Sequence, residues 1–154
     1  MIKTLLVITN SSLVAIYAIG SGLLVNTGDG FYRSLKRPFW QPPDFVPGIV
    51  WPYNFLVLII AGIIIANNAS NLFRFSYTIA FAFSVITALI WAHSLFIQHN
   101  LILAAISLAV TALSTVPMVA IAFQTDWKIG LALLPYQLWL IVASSLSVGY
   151  KVLN

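Results

Sequence analysis

The sequence predicts an all-α integral membrane protein, a bundle of five transmembrane helices with a long structured loop between the first and second. Three observations carry that reading. Of 154 residues, 61% are hydrophobic and only 6% charged, where an ordinary globular domain has about 25% charged. The charges are placed so that residues 4–28, 45–73, 75–125 and 129–150 contain none, and roughly 20 apolar residues suffice to cross the hydrocarbon core. The runs are also apolar all round, as in LVLIIAGIII at 56–65, where barrel strands would alternate in polarity.

The first run yields a span over about 5–25. Its apolar stretch is longer than the core of a signal peptide, and no A-x-A site follows it. The second run yields 48–67. The third is long enough for two spans, 75–97 and 101–123, broken at Gln98-His99-Asn100, and the last yields 129–150. The connections after the second, third and fourth spans are short, which predicts that sequential helices pack antiparallel as neighbours. The whole chain, 1–154, reads as a single domain.

An odd number of spans puts the first loop, the third loop and the C-terminal end on one side. Arg33, Lys36, Arg37 and Lys151 then face Lys3, Arg74 and Lys128 across the membrane, a near balance that sets orientation only weakly. The formal charge of +4 fits membrane-flanking residues and gives no case for nucleic acid. With no cysteine, disulfides, thiolate metal sites and cysteine nucleophiles are excluded.

Other chemistries fare poorly. His93 and His99 are the only histidines, and six positions on one helix set them roughly 120° apart, so they do not form a haem-ligating pair. His93 is expected to be buried and bonded to a neighbouring helix. The carboxylates Asp29, Asp44 and Asp126 lie at helix ends or in loops, with no Ser–His–Asp set among them. No phosphate-cradling glycine loop is present, and no metal site is expected. The spans lack the buried charges of an ion-coupled transporter.

The first loop, about 26–47, is the one connection with room for function. It begins with a turn at Gly28-Asp29-Gly30. FYRSLKR follows as a short amphipathic helix, with Phe31 and Leu35 on one side. Pro38 discourages that helix from running through Arg37, and Pro42-Pro43 holds the chain extended. Pro47 and Pro52 fall near the start of the second span, where proline is tolerated. Trp40 and Tyr53 suit an interfacial aromatic belt, but a belt does not require so much proline. A stiff aromatic lid over a pocket does.

Tyr32-x-x-Leu35-x-Arg37-Pro38-x-Trp40-x-Pro42-Pro43, followed by Val50-Trp51, resembles the signature of the TspO/MBR family, the translocator or tryptophan-rich sensory proteins. Leu134-Pro135-Tyr136-x-x-Trp139 with Ala143 in the last span agrees, and the resemblance covers residues 13–154. It implies a ligand cavity beneath the first loop, lined by Tyr32, Trp40, Pro42, Pro43, Trp51, Phe55, Trp91, Trp139 and Ala143. It also implies a tetrapyrrole ligand, protoporphyrin or haem, with no cofactor required; sterol-like and isoquinoline-like lipophiles are further candidates. Arg33, Lys36 and Arg37 at the rim would meet propionates, and Trp51 and Trp139 are the candidate redox-active groups. The family implies a homodimer as well. The small-residue stripe Ala80, Ser84, Ala88, Ala92 lets helices approach closely in lipid, either for packing inside one bundle or, as the family's dimer favours, as the seam.

Some family features are missing. Ala88 and Ala92 stand where many members have Asn and Ser beside Trp91, and Ser147 replaces a frequent Asn, so fewer hydrogen bonds to ligand are expected. The sterol motif with a spacer after tyrosine is not met, because Lys151 follows Tyr150 directly. Three functional readings stay open: a ligand-binding translocator or sensor, a non-catalytic membrane scaffold, and a light-dependent porphyrin-degrading enzyme.

Overall fold

The computed structural model describes all 154 residues, as six helices and no strands. The spanning helices are α1 (Ile2–Leu24), α3 (Val46–Asn68), α4 (Asn71–Phe96), α5 (Leu101–Thr125) and α6 (Trp127–Leu153). All five are long and apolar enough to cross a membrane. The short helix α2 (Gly30–Ser34) lies in the first loop. It stops before Leu35, which turns extended at φ −65°, ψ 135°. The amphipathic segment is therefore one turn rather than two, and Leu35 is buried just past its end.

Side-chain caps punctuate the chain. The Asp29 carboxylate accepts from the Phe31 and Tyr32 amides at the start of α2, Ser70 from Phe73 in α4, Asn100 from Leu103 in α5, and Asp126 from Lys128 in α6. Each satisfies one or more of the amides that a helix N-terminus leaves without intrahelical partners. The third connection turns through His99 at φ 57°.

Two boundaries differ from expectation for physical reasons. α4 starts at Asn71 rather than near 75 because Arg74, read as a loop charge, sits in its first turn. Its side chain is only 8% exposed, and its guanidinium donates to the Ala69 carbonyl. Pro52 falls inside α3 rather than at its start. It removes one amide from the ladder, a loss that membrane helices tolerate where neighbours compensate.

The helices close a ring. α1 packs on α3 and α4, α4 on α5, α5 on α6, and α6 on α3. Here the expectation of sequential neighbours fails once. α3 and α4 are joined by only Ala69 and Ser70, yet α1 is wedged between them and takes most of their packing. α1 turns Leu6, Asn10, Val14 and Tyr17 inward, spaced at about one helical turn. Gly62 lets it approach: a Cβ there would stand 2.8 Å from that of Asn10, whose amide donates to the Gly62 carbonyl at 3.3 Å.

The same inward packing relocates two expected features. Ser84 and Ala92 are 0% exposed and Ala88 2%, with Ala80 half-buried. The small-residue stripe thus faces the bundle interior of a single chain, and that face is not free to form a dimer seam. His93 is exposed on the outer surface of α4 rather than buried, beside Leu24, Ile86 and Gln98.

Polar ladders tie the later helices together. The Thr87 and Thr111 hydroxyls meet at 2.8 Å between α4 and α5. Thr115 donates to the Gln137 side-chain oxygen at 2.7 Å, and the Gln137 amide donates to the Ala112 carbonyl at 2.9 Å, between α5 and α6. In lipid, such bonds average about 0.6 kcal/mol and reach about 1.7.

Candidate functional site

The first loop is bound to the end of α6 from Tyr32 to Gln41. The Lys36 amide donates to the Asn154 side-chain oxygen at 2.9 Å, and the Asn154 amide returns a bond to the Lys36 carbonyl at 3.2 Å. The Trp40 indole N–H donates to Ser145 at 3.1 Å. Tyr150 donates its one hydroxyl proton to Gln41 and so accepts from the Tyr32 hydroxyl, 3.2 Å away. Gly149 permits the closest approach, because a Cβ there would fall 2.6 Å from Pro38. Pro42 is half-buried and Pro43 exposed.

The expected lining residues do not all come together. Trp51 and Phe55 stack with centroids 5.3 Å apart, and both meet the Tyr17 ring nearly at right angles, at 5.4 and 5.5 Å. Such pairs contribute about 0.5–1.5 kcal/mol each beyond burial. Tyr32 lies 5.2 Å from Phe96, in a second cluster with Leu35, Leu95, Ala104 and Tyr150. Trp91 packs against both this cluster and the main core, and so joins them. Its N–H donates to Ser147 at 2.8 Å. The serine that stands for a frequent asparagine therefore serves a tryptophan from within the chain.

Ala143 packs on the main core, and Trp139 is half-buried on the same helix. Trp40 stands apart from the other tryptophans, on the outer side of the loop with Arg37. Arg33, Lys36 and Arg37 are all exposed at the loop surface. Arg37 is held between the Tyr32 ring, 5.9 Å from its centroid, and Asp44 at 3.1 Å.

Several residues at this site were not singled out from sequence. Tyr17 forms the edge of the aromatic wall. Asn54 shares a helix face with Trp51, Phe55 and Leu58, by their i, i+3, i+4, i+7 spacing. It is 0% exposed, and neither atom of its amide group has a partner. A polar residue three positions after a tryptophan in an otherwise apolar run was the available signal. Gln41, Ser145 and Asn154 carried none, because a latch across more than 100 residues leaves no local pattern.

Residues 10–153 match the model of the TspO/MBR family. Among curated relatives, the chain is 26% identical over 149 residues to "Protein CrtK" of Rhodobacter capsulatus, covering 93% of each. It is 27% identical over 143 residues, 92% of each, to "Uncharacterized membrane protein YtaB" of Bacillus subtilis. It is also 27% identical over 120 residues to "Tryptophan-rich protein TspO" of Bacillus cereus, 76% of each. A match over nearly the whole length, on five apolar spans, makes this chain a multi-pass integral membrane protein of the TspO/MBR family.

Proposed function

We propose that this protein is a translocator or sensor that binds a flat, apolar ligand of the tetrapyrrole class between the first loop and the aromatic wall of α1 and α3. The observation that carries the reading is Tyr17, Trp51 and Phe55 packed face and edge just beyond the loop, with the unpaired amide of Asn54 on the same helix face. Indole faces suit a macrocycle, and burying it gains about 25 cal/mol per Å². The amide supplies two N–H donors and a carbonyl acceptor for the ring's polar edge. The loop's basic rim is exposed, and pairs there are worth about 0–1 kcal/mol each, so they orient propionates more than they hold the ligand. The homodimer implied by the family would have to form on a face other than the buried stripe of α4.

Titration of the purified chain with protoporphyrin, read by tryptophan fluorescence, tests this. Saturable quenching is expected, weakened about tenfold by Trp51→Ala, or roughly 1.4 kcal/mol. Quenching that never saturates would leave the scaffold reading. Loss of porphyrin absorbance under illumination, abolished by Trp51→Phe or Trp139→Phe, would instead favour the enzyme.

A further inference from the structure

A sizeable cavity lies outside the loop rather than beneath it. It is a furrow of about 910 Å³ between α5 and α6, roofed at one end by residues 37–40. Its walls are apolar or small, with Ala109, Leu113, Ile141 and Ser144 among them. We propose that this furrow seats one acyl chain of an anionic phospholipid, with the lipid's phosphate on Arg37. The inference shares Arg37 with the rim invoked for propionates, but the aromatic wall of Tyr17, Trp51 and Phe55 does not contribute to the furrow.

Depth argues for a lipid. On α6 the lining runs from Ile141 to Leu153, and twelve steps of 1.5 Å make about 18 Å. That is close to one leaflet of a hydrocarbon core roughly 30 Å thick. A helix from a second copy crosses both leaflets, so a furrow ending near mid-membrane offers it only half a seat.

Charge argues for an anionic headgroup. The mouth lies at the end carrying Arg33, Lys36, Arg37 and Lys151 against the carboxylates Asp29 and Asp44. Asp44 engages only Nη1 of Arg37, at 3.1 and 3.4 Å. The guanidinium has five N–H donors in all, which leaves its Nη2 and Nε side for a phosphate. Tyr32 and Asp44 also hold Arg37 in place before a lipid arrives.

Native cysteine is absent, so a fluorescent label can be placed at Ser144→Cys, with Ile19→Cys on the outer face of α1 as control. The full chain is reconstituted in phosphatidylcholine nanodiscs containing doxyl-labelled phosphatidylglycerol or, at equal mole fraction, doxyl-labelled phosphatidylcholine. The anionic lipid is expected to quench at position 144 several-fold more effectively than the neutral one, and equally at position 19. Arg37→Gln should bring the ratio at 144 to about one, and Arg37→Lys should retain much of it. Should Arg37→Gln fail to fold, Val148→Trp, an outward-facing change that fills the furrow, should reduce quenching by both lipids at 144. A ratio near one in the parent protein overturns the proposal. So does recovery of the signal on adding protoporphyrin, which would give the furrow to the tetrapyrrole, or disulfide cross-linking under oxidant between two unlabelled Ser144→Cys copies, which would give it to a dimer.

Discussion

Asn54 shares its helix face with Trp51 and Phe55, with both side-chain polar atoms buried and unpaired. Leaving such a group unsatisfied costs about 1–3 kcal/mol. Asn54→Val, apolar and closer to asparagine in volume than leucine is, is therefore expected to raise the melting temperature in detergent while weakening protoporphyrin binding. A fall in both would show that the amide has a stabilising partner in the folded chain. Ser84 and Ala88 lead to the opposite expectation. Because both are buried in the bundle, Ser84→Leu and Ala88→Phe should overpack it and lower stability by about 1–3 kcal/mol, measured as loss of monodisperse folded protein. Folded, stable variants would mean that this face opens outward. The tryptophans were legible from sequence because a large aromatic in an apolar span stands out. The direction of a small-residue stripe was not legible, since spacing identifies a face but not the helix it meets.

Among the elements, the first loop is the one whose stiffness and anchoring can be separated. Pro42 and Pro43 restrict the free chain, and ordering a residue otherwise costs on the order of 1–2 kcal/mol. Replacing both by glycine should weaken protoporphyrin binding about tenfold, and unchanged affinity would mean the loop is no lid. Gly149→Leu attacks the anchor instead, by forcing Pro38 and Trp40 away from α6. Trypsin should then cut after Lys36 faster than in the parent; equal rates would show that the loop is held elsewhere. The loop's rigidity was readable from its prolines, and the five spans from their charge-free runs. The wedge of α1 between α3 and α4 was not readable, because loop length restricts which helices are adjacent only when no third helix can intervene.

At the scale of the whole molecule, the latch fixes topology. The first loop meets the end of α6, and His99 of the third connection stacks on Phe31 at 4.1 Å, with its Nε2 3.5 Å from Asp29. Cysteines introduced at Asp44, Gln98 and Asn154 should thus all react with a membrane-impermeant reagent from one side, and one at Leu72 from the other. Opposite-side labelling of Asp44 and Asn154 would break the five-span arrangement.

The latch also imposes an order on biosynthesis. Trp40 and Ser145 are 105 residues apart in the chain, and Tyr32 and Tyr150 are 118 apart. During translation the loop emerges long before the helix that holds it. Domains acquire structure progressively as the chain is made, and Phe31 and Tyr32 can meet His99 and Phe96 early. The segment from Lys36 to Gln41, however, has nothing to dock on until α6 has entered the bilayer. A ribosome stalled between α5 and α6 should therefore display a nascent chain with several inserted spans and a first loop still open to protease. Competence to hold a ligand beneath the loop would then arrive only with the last helix.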